Sequence, residues 1–171
     1  ERVLEEDETT RVMINTEGAK VRIRKAGDSI PQYLSWPVHD RVSWEQIKAE
    51  RFGSNILARF PERWHTMARA FHQRDYPLGV GVDGFFAAPR ELLGVVNQLT
   101  MYYDDPALMH DINIHLSNLC LAVLEELLAT VDLDFILMLE DLEKADLILR
   151  GFGYLNLFRL GYRLTELKAL H

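Results

Sequence analysis

The sequence predicts an α/β protein whose parallel strands are joined by crossover helices. Three observations carry this. Two short apolar runs, Leu78-Gly79-Val80-Gly81-Val82 and Phe135-Ile136-Leu137-Met138-Leu139, lack the alternation of a half-buried strand and read as strands covered on both faces. Long helical patterns of apolar residues lie between and around them. The resulting order of strand, helices, strand and helix is that of a sheet whose neighbours run the same way.

The elements follow in order. Val12 and Ile14, then Val21 and Ile23, alternate with polar neighbours around Asn15-Thr16-Glu17-Gly18, which predicts a β-hairpin over about residues 10–25. Residues 26–42, with Pro31, Trp36 and Pro37, read as an extended linker. Ser43 with Gln46 suggests a capping box for a short helix from about Trp44 to Ala49. Pro61 suits the first position of a helix to about Gln73, and Pro89 opens another to about Tyr103. The βα units proper then occupy about residues 77–171. Asp105-Pro106 is an N-cap followed by a helix-start proline. Beyond it Leu108, Ile112, Leu116, Leu119, Val123, Leu124, Leu127, Leu128 and Val131 recur at steps of three and four. That spacing predicts a helix of about 26 residues, ~39 Å long. A last helix is expected near Phe158–Ala169, after Gly151 and Gly153.

Composition narrows the partners. At 171 residues the default is one domain over 1–171. The formal charge of −7 is spread over interspersed acids and bases, which argues against nucleic acid. Arg22, Arg24 and Lys25 alternate with Val21 and Ile23, the pattern of a strand's solvated face. The single cysteine, Cys120, forms no internal disulfide, and a reducing cytoplasmic setting is the simplest expectation. No uninterrupted apolar run approaches ~20 residues, so no membrane span is expected. Glu1-Arg2-Val3-Leu4-Glu5-Glu6-Asp7-Glu8 is no signal peptide. With no initiator Met, it reads as a mid-sequence start.

The candidate chemistry sits at strand ends, where parallel α/β proteins carry their sites. Asp83 follows the first apolar strand; Glu140 and Asp141 follow the second. These carboxylates are candidates for acid/base work or for gripping a cationic or N–H-rich ligand; the competing reading is solvated or capping side chains. Arg90, early in a helix, opposes the helix dipole and is suited to fork onto a substrate carboxylate; the alternative is a simple pair with Glu91. His65 and His72 are two helical turns apart, ~10.5 Å, too far to share one ion. His110 and His115 point to different faces. Gly79-x-Gly81 lies inside a strand rather than in a turn opening a helix, so it is not a phosphate-binding fingerprint.

Several stretches, in order and spacing, resemble one family: Pro31-Gln32-Tyr33-Leu34, Pro37-Val38-His39-Asp40-Arg41, Tyr76-Pro77-Leu78-Gly79-Val80-Gly81, Gly84-Phe85-Phe86, Pro89-Arg90-Glu91-Leu92-Leu93-Gly94, Tyr103-Asp104-Asp105-Pro106, and Val131-Asp132-Leu133-Asp134 through Glu140-Asp141. The chain resembles the uroporphyrinogen decarboxylase-like superfamily, over roughly residues 5–141. The resemblance implies a (β/α)₈ TIM barrel. A whole barrel takes ~250 residues, so the expected fold is a partial (β/α)₈ TIM barrel with an N-terminal β-hairpin. It implies cofactor-free decarboxylation of a tetrapyrrole, in porphyrin biosynthesis, or methyl transfer as in the corrinoid-linked relatives. Phe86 and Lys144, the latter resembling the family's lysine displaced by one residue, join Arg90 as candidates for substrate binding. The family's N-terminal pyrrole-binding aspartate and late zinc-holding His and Cys have no counterpart in this sequence. The purified chain is therefore expected to lack decarboxylase activity of its own and to hold no metal. The alternative is a non-catalytic truncated remnant serving as an oligomerising or interaction module. An open sheet with apolar faces favours a homo-oligomer in either case.

Overall fold

The computed structural model describes residues 1–27 and 30–139. These divide into two compact units, Glu1–Arg51 with Ala88–Met109, and Phe52–Ala87 with the chain from His110 onward.

The first unit is built on an antiparallel meander. Strands β1 (Arg2–Glu6), β2 (Thr10–Ile14), β3 (Lys20–Arg24) and β4 (Gln32–Ser35) lie in sequential order. Met13 pairs with Val21 and Val21 with Tyr33, so these three share a face. There Met13, Ala19 and Val21 are buried, with Ile23 and Trp36 packed against them. The β1–β2 turn is held by Asp7, whose carboxylate accepts from the backbone N–H of Thr9 (2.8 Å) and Thr10 (2.6 Å) and from both hydroxyls. Those donors, the Thr10 hydroxyl first, hold the Asp7 carboxyl far below the ordinary range.

Helix α1 (Arg41–Arg51) starts at a reciprocal cap. Asp40 Oδ1 accepts from Ser43 N at 2.8 Å, and Ser43 Oγ accepts from Asp40 N at 3.0 Å. Ser43 is thus the returning member of the box and Asp40 its N-cap, one turn earlier than the Ser43–Gln46 pairing expected. The helix buries Trp44 and Ile47. The expected helix from Pro89 to Tyr103 is two helices, α3 (Ala87–Leu93) and α4 (Val95–Asp104). Gly94 separates them at φ +72°, ψ 158°, a conformation open in practice to glycine alone.

The second unit carries a 3-10 turn at Leu57–Arg59, α2 (Trp64–Phe71), and a parallel pair, β5 (Gly79–Asp83) and β6 (Phe135–Leu139). The pair is in register from Gly79 opposite Phe135 to Asp83 opposite Leu139. Helix α5 (Pro106–Leu128) begins in the first unit and continues in the second. Asp105 caps it, accepting from Leu108 N at 2.9 Å.

The expected partial (β/α)₈ barrel is corrected by this architecture. Among the described residues there is no closed barrel; there are a four-stranded antiparallel sheet and a separate two-stranded parallel one. The β2–β3 hairpin and the parallel pairing of the two apolar runs are present, but the hairpin is the middle of a larger sheet. The outer strands escaped notice for physical reasons. Every residue of β1 is exposed and three of its five are charged, so it has no apolar alternation to read. Strand β4 is short, wholly exposed, and lies within the stretch read as linker. Charged and short edge strands are the usual protection of a sheet edge. The expected helix near Phe158–Ala169 lies outside the described residues.

One helix among the described residues, α5, is long and apolar enough to cross a membrane by length and composition, with a hydropathy of 1.2 over its most apolar window. This qualifies the expectation drawn from uninterrupted apolar runs. One such helix is weak evidence, because a core helix passes the same test. Its uncharged stretch runs only from Ile112 to Leu124, between Asp111 and Glu125. That stretch is ~20 Å of helix, against a hydrocarbon core of ~30 Å.

A Cβ at Gly94 would stand 2.6 Å from the Trp36 indole, besides the strain of its positive φ. Gly94→Ala is expected to cost about 3 kcal/mol in denaturant unfolding. Gly53→Ala, where nothing lies within 4 Å of the added methyl, is the control and should stay near wild type.

Candidate functional site

The candidate site is the end of the parallel pair at which both strands leave the sheet, and its geometry is set at the opposite end. Leu78 and Asp134, the residues just before β5 and β6, exchange two bonds. Asp134 N donates to Leu78 O at 2.8 Å, and Leu78 N donates to Asp134 Oδ2 at 2.7 Å. The same Oδ2 accepts from Arg74 Nη2 at 3.0 Å. Arg74, only 12% exposed at its side chain, also donates to Asp132 O (2.7 Å) and Phe71 O (2.8 Å). One guanidinium therefore joins the end of α2 to the entrances of both strands. The Leu78 N–H, then Arg74, hold the Asp134 carboxyl below its usual range. Nearby, Trp64 Nε1 donates to Thr130 Oγ1 at 3.1 Å, and His72 Nε2 lies 3.2 Å from Thr130 O. His72 and Asp132 form an ion pair at 3.6 Å when the imidazole is protonated.

Gly79 has a packing purpose. A Cβ there would lie 2.3 Å from the Phe135 ring, so the glycine admits that side chain across the pair.

At the exit, Asp83 is the last residue of β5 and is exposed. Gly84 N donates to Leu139 O at 2.7 Å, which carries the pairing one step past the strand. Because Asp83 stands opposite Leu139, it is level in the ladder with the residue that precedes Glu140. Glu140, Asp141 and Lys144 themselves lie outside the described residues. Asp83 also borders α5: burial first, then the Asp83 charge, push the Cys120 thiol up. A raised thiol is a poor nucleophile at neutral pH, in keeping with Cys120 as a packing residue.

The other sequence candidates are engaged in packing or pairing. Phe86 is buried, a core side chain of the second unit. Arg90 belongs to the first unit, where it forks onto Glu91 through Nε (3.2 Å) and Nη2 (2.7 Å). Glu91 also acts on Tyr33, whose phenol is pushed up by burial and then by the Glu91 charge. Tyr33 in turn stacks on Trp36, with ring centroids 5.6 Å apart and planes 5° from parallel. His115 Nε2 lies 3.0 Å from Phe52 O, a packing role. Among the described residues no cluster of three or more His, Cys, Asp or Glu is arranged to hold a metal ion.

Sequence reasoning passed over Arg74 and Asp134. The signal was present, since Asp134 immediately precedes an apolar strand and Arg74 ends a helical pattern. The link between them spans 60 residues and no local pattern reports it.

No family model, curated protein or solved structure matches this chain.

The lowered Asp134 carboxyl makes a pH-dependent contribution of defined sign. It is fully present above the unfolded value near 3.8 and is lost as pH falls through the lower folded value. The stability difference between wild type and Asp134→Asn should therefore be constant from pH 7 to about 4 and shrink below that. Urea midpoints across that range check it; a difference that already closes by pH 5 contradicts it.

Proposed function

We propose that the chain is a uroporphyrinogen decarboxylase-like protein whose binding and chemistry centre on Asp83 at the carboxyl ends of β5 and β6. The substrate is a small molecule, a tetrapyrrole undergoing decarboxylation or a methyl donor as in corrinoid-linked relatives of that superfamily. The observation that carries the reading is the parallel register that sets Asp83 opposite Leu139, next to the Glu140-Asp141 sequence. Parallel α/β sheets carry their ligands beyond the carboxyl ends of their strands. The ordered sequence resemblance supports the substrate class. In this reading Asp83 accepts a pyrrole N–H or a transferred proton, and Glu140 and Asp141, which follow Leu139 in the sequence, are the other candidate carboxylates. Lys144 is the cation nearest Glu140-Asp141 in sequence for a substrate carboxylate, and a cytoplasmic setting fits the single, half-buried thiol.

A second reading, a non-catalytic interaction module, has its own support. Two of the expected substrate contacts are engaged within the structure: Phe86 is buried and Arg90 is held by Glu91.

Binding separates the two. Uroporphyrin should quench the tryptophan emission of the chain in a saturable way, and Asp83→Asn should weaken it about tenfold or more, the worth of one charge-assisted hydrogen bond. Methylcobalamin in a parallel titration distinguishes the methyl-transfer branch. Saturable binding of neither ligand, or binding indifferent to Asp83, favours the interaction module instead.

A further inference from the structure

We propose that helix α4 is the contact surface through which two copies of this chain pair about a two-fold axis. The proposal does not depend on the enzymatic reading. Val96 is 76% exposed, Leu99 40% and Tyr103 84%, and Val95, beside them, is 46% exposed. Positions 96, 99 and 103 step by three and four, so they form one stripe along the helix. Thr100 sits within it, exposed. The opposite side carries the fully buried Gln98. Helix α4 thus has an inner anchor and an apolar outer face, whereas an ordinary surface helix turns charge outward.

Charge selects the occupant. From Val95 to Tyr103 there is no Asp, Glu, Lys or Arg, in a chain of which 26% is charged. A neutral face gives nucleic acid or a charged peptide nothing to pair with. Its complement is another neutral, apolar helix face. At a net charge of −7, two copies repel through most of their surface. They meet at least cost where no carboxylate must be desolvated or set against its like. A two-fold contact satisfies this, since the stripe then packs against itself.

The area is adequate for a modest dimer. The charged groups nearest the stripe, Asp104 and the Arg41–Asp105 ion pair at 3.2 Å, fall at its Tyr103 end, where they belong to the rim rather than the centre of the contact. With Val95 and the flanking Asn97 and Thr100, the face offers on the order of 500 Å² per copy, so that pairing just reaches the ~1,000 Å² expected of a specific contact. A contact at the lower limit of specific interfaces is expected to be weak, so the association is sought in the micromolar range.

Sedimentation velocity from about 1 to 200 µM tests this, with the chain mass of 19.8 kDa as the reference. The expected result is a monomer–dimer equilibrium in the wild type. Val96→Glu with Tyr103→Glu should weaken it at least 100-fold, while Leu57→Glu, a 63% exposed residue outside the stripe, leaves it unchanged. Circular dichroism melts establish that each variant folds. Independently, Thr100→Cys should form an oxidised dimer much faster than wild type, whose one cysteine is Cys120. A wild type that stays monomeric at 200 µM, a double variant that associates as tightly as wild type, or Thr100→Cys that cross-links no faster than wild type would each overturn the assignment.

Discussion

The largely covered guanidinium of Arg74 is the constraint around which the second unit is arranged. A side chain only 12% exposed, with five donors and no way to discard its charge, must find acceptors or cost several kcal/mol. It finds them in Phe71 O, Asp132 O and Asp134 Oδ2, which come from two segments far apart in the chain. Asp134 then passes the constraint on, because the oxygen that receives Arg74 also receives the Leu78 N–H. A carboxylate has lone pairs enough for both. Two parallel strands have no tight turn between them to fix their register. Here the register is fixed at the entrance by this one carboxylate, and every pair up to Asp83–Leu139 follows from it.

The first unit solves a similar problem with local means. Its first three strands are joined by short connections, so the β1–β2 and β2–β3 registers are each set by a turn. Asp7 gathers two N–H groups and two hydroxyls at the β1–β2 turn. Asn15 Oδ1 accepts from Ala19 N at 2.8 Å in the β2–β3 turn. Such bonds form between residues two to four apart and need no distant partner. The contrast with Arg74–Asp134 explains why one sheet is antiparallel and locally specified while the other depends on a link across 60 residues.

What was legible in the sequence divides along the same line. The β2–β3 hairpin, the apolar run that becomes β6 and the Asp105 cap are local signals, and each was readable because a period, a turn residue or a cap writes itself into neighbouring positions. The outer strands β1 and β4 were not, because an edge strand exposed along its whole length has no buried side to give it a pattern. The break at Gly94 was hidden inside a helical periodicity that runs through both α3 and α4; its positive φ and the Trp36 indole, 58 positions away in the chain, together explain why a glycine stands there. Of the site, Asp83 at a strand end was legible from the Val82-Asp83-Gly84 boundary. The engagement of Arg90 by its neighbour Glu91 was foreseen as the alternative, while the burial of Phe86 was not, since an aromatic in a loop sequence reads equally as anchor or core.

Polar economy within the second unit also distinguishes its two regions. At the strand entrances Arg74, Asp134, His72 and the Trp64 indole all have acceptors or donors in place. On α5 the position is reversed. Asn113 is 1% exposed, and neither its Oδ1 nor its Nδ2 meets a partner. An amide left in that state costs about 1–3 kcal/mol for each unsatisfied group, where a leucine of similar size would cost nothing. Two turns further along the same helix lies Cys120, near enough to Asp83 to feel its charge. The entrance end is therefore built for rigidity. The exit end keeps the exposed carboxylate of Asp83, and α5, which Asp83 reaches electrostatically at Cys120, retains an unsatisfied amide. Stability alone would favour replacing the Asn113 amide, while the exposed Asp83 costs the fold nothing; a polar group that packing does not explain on α5 is the reason to look for function on that helix rather than at the better-bonded entrance.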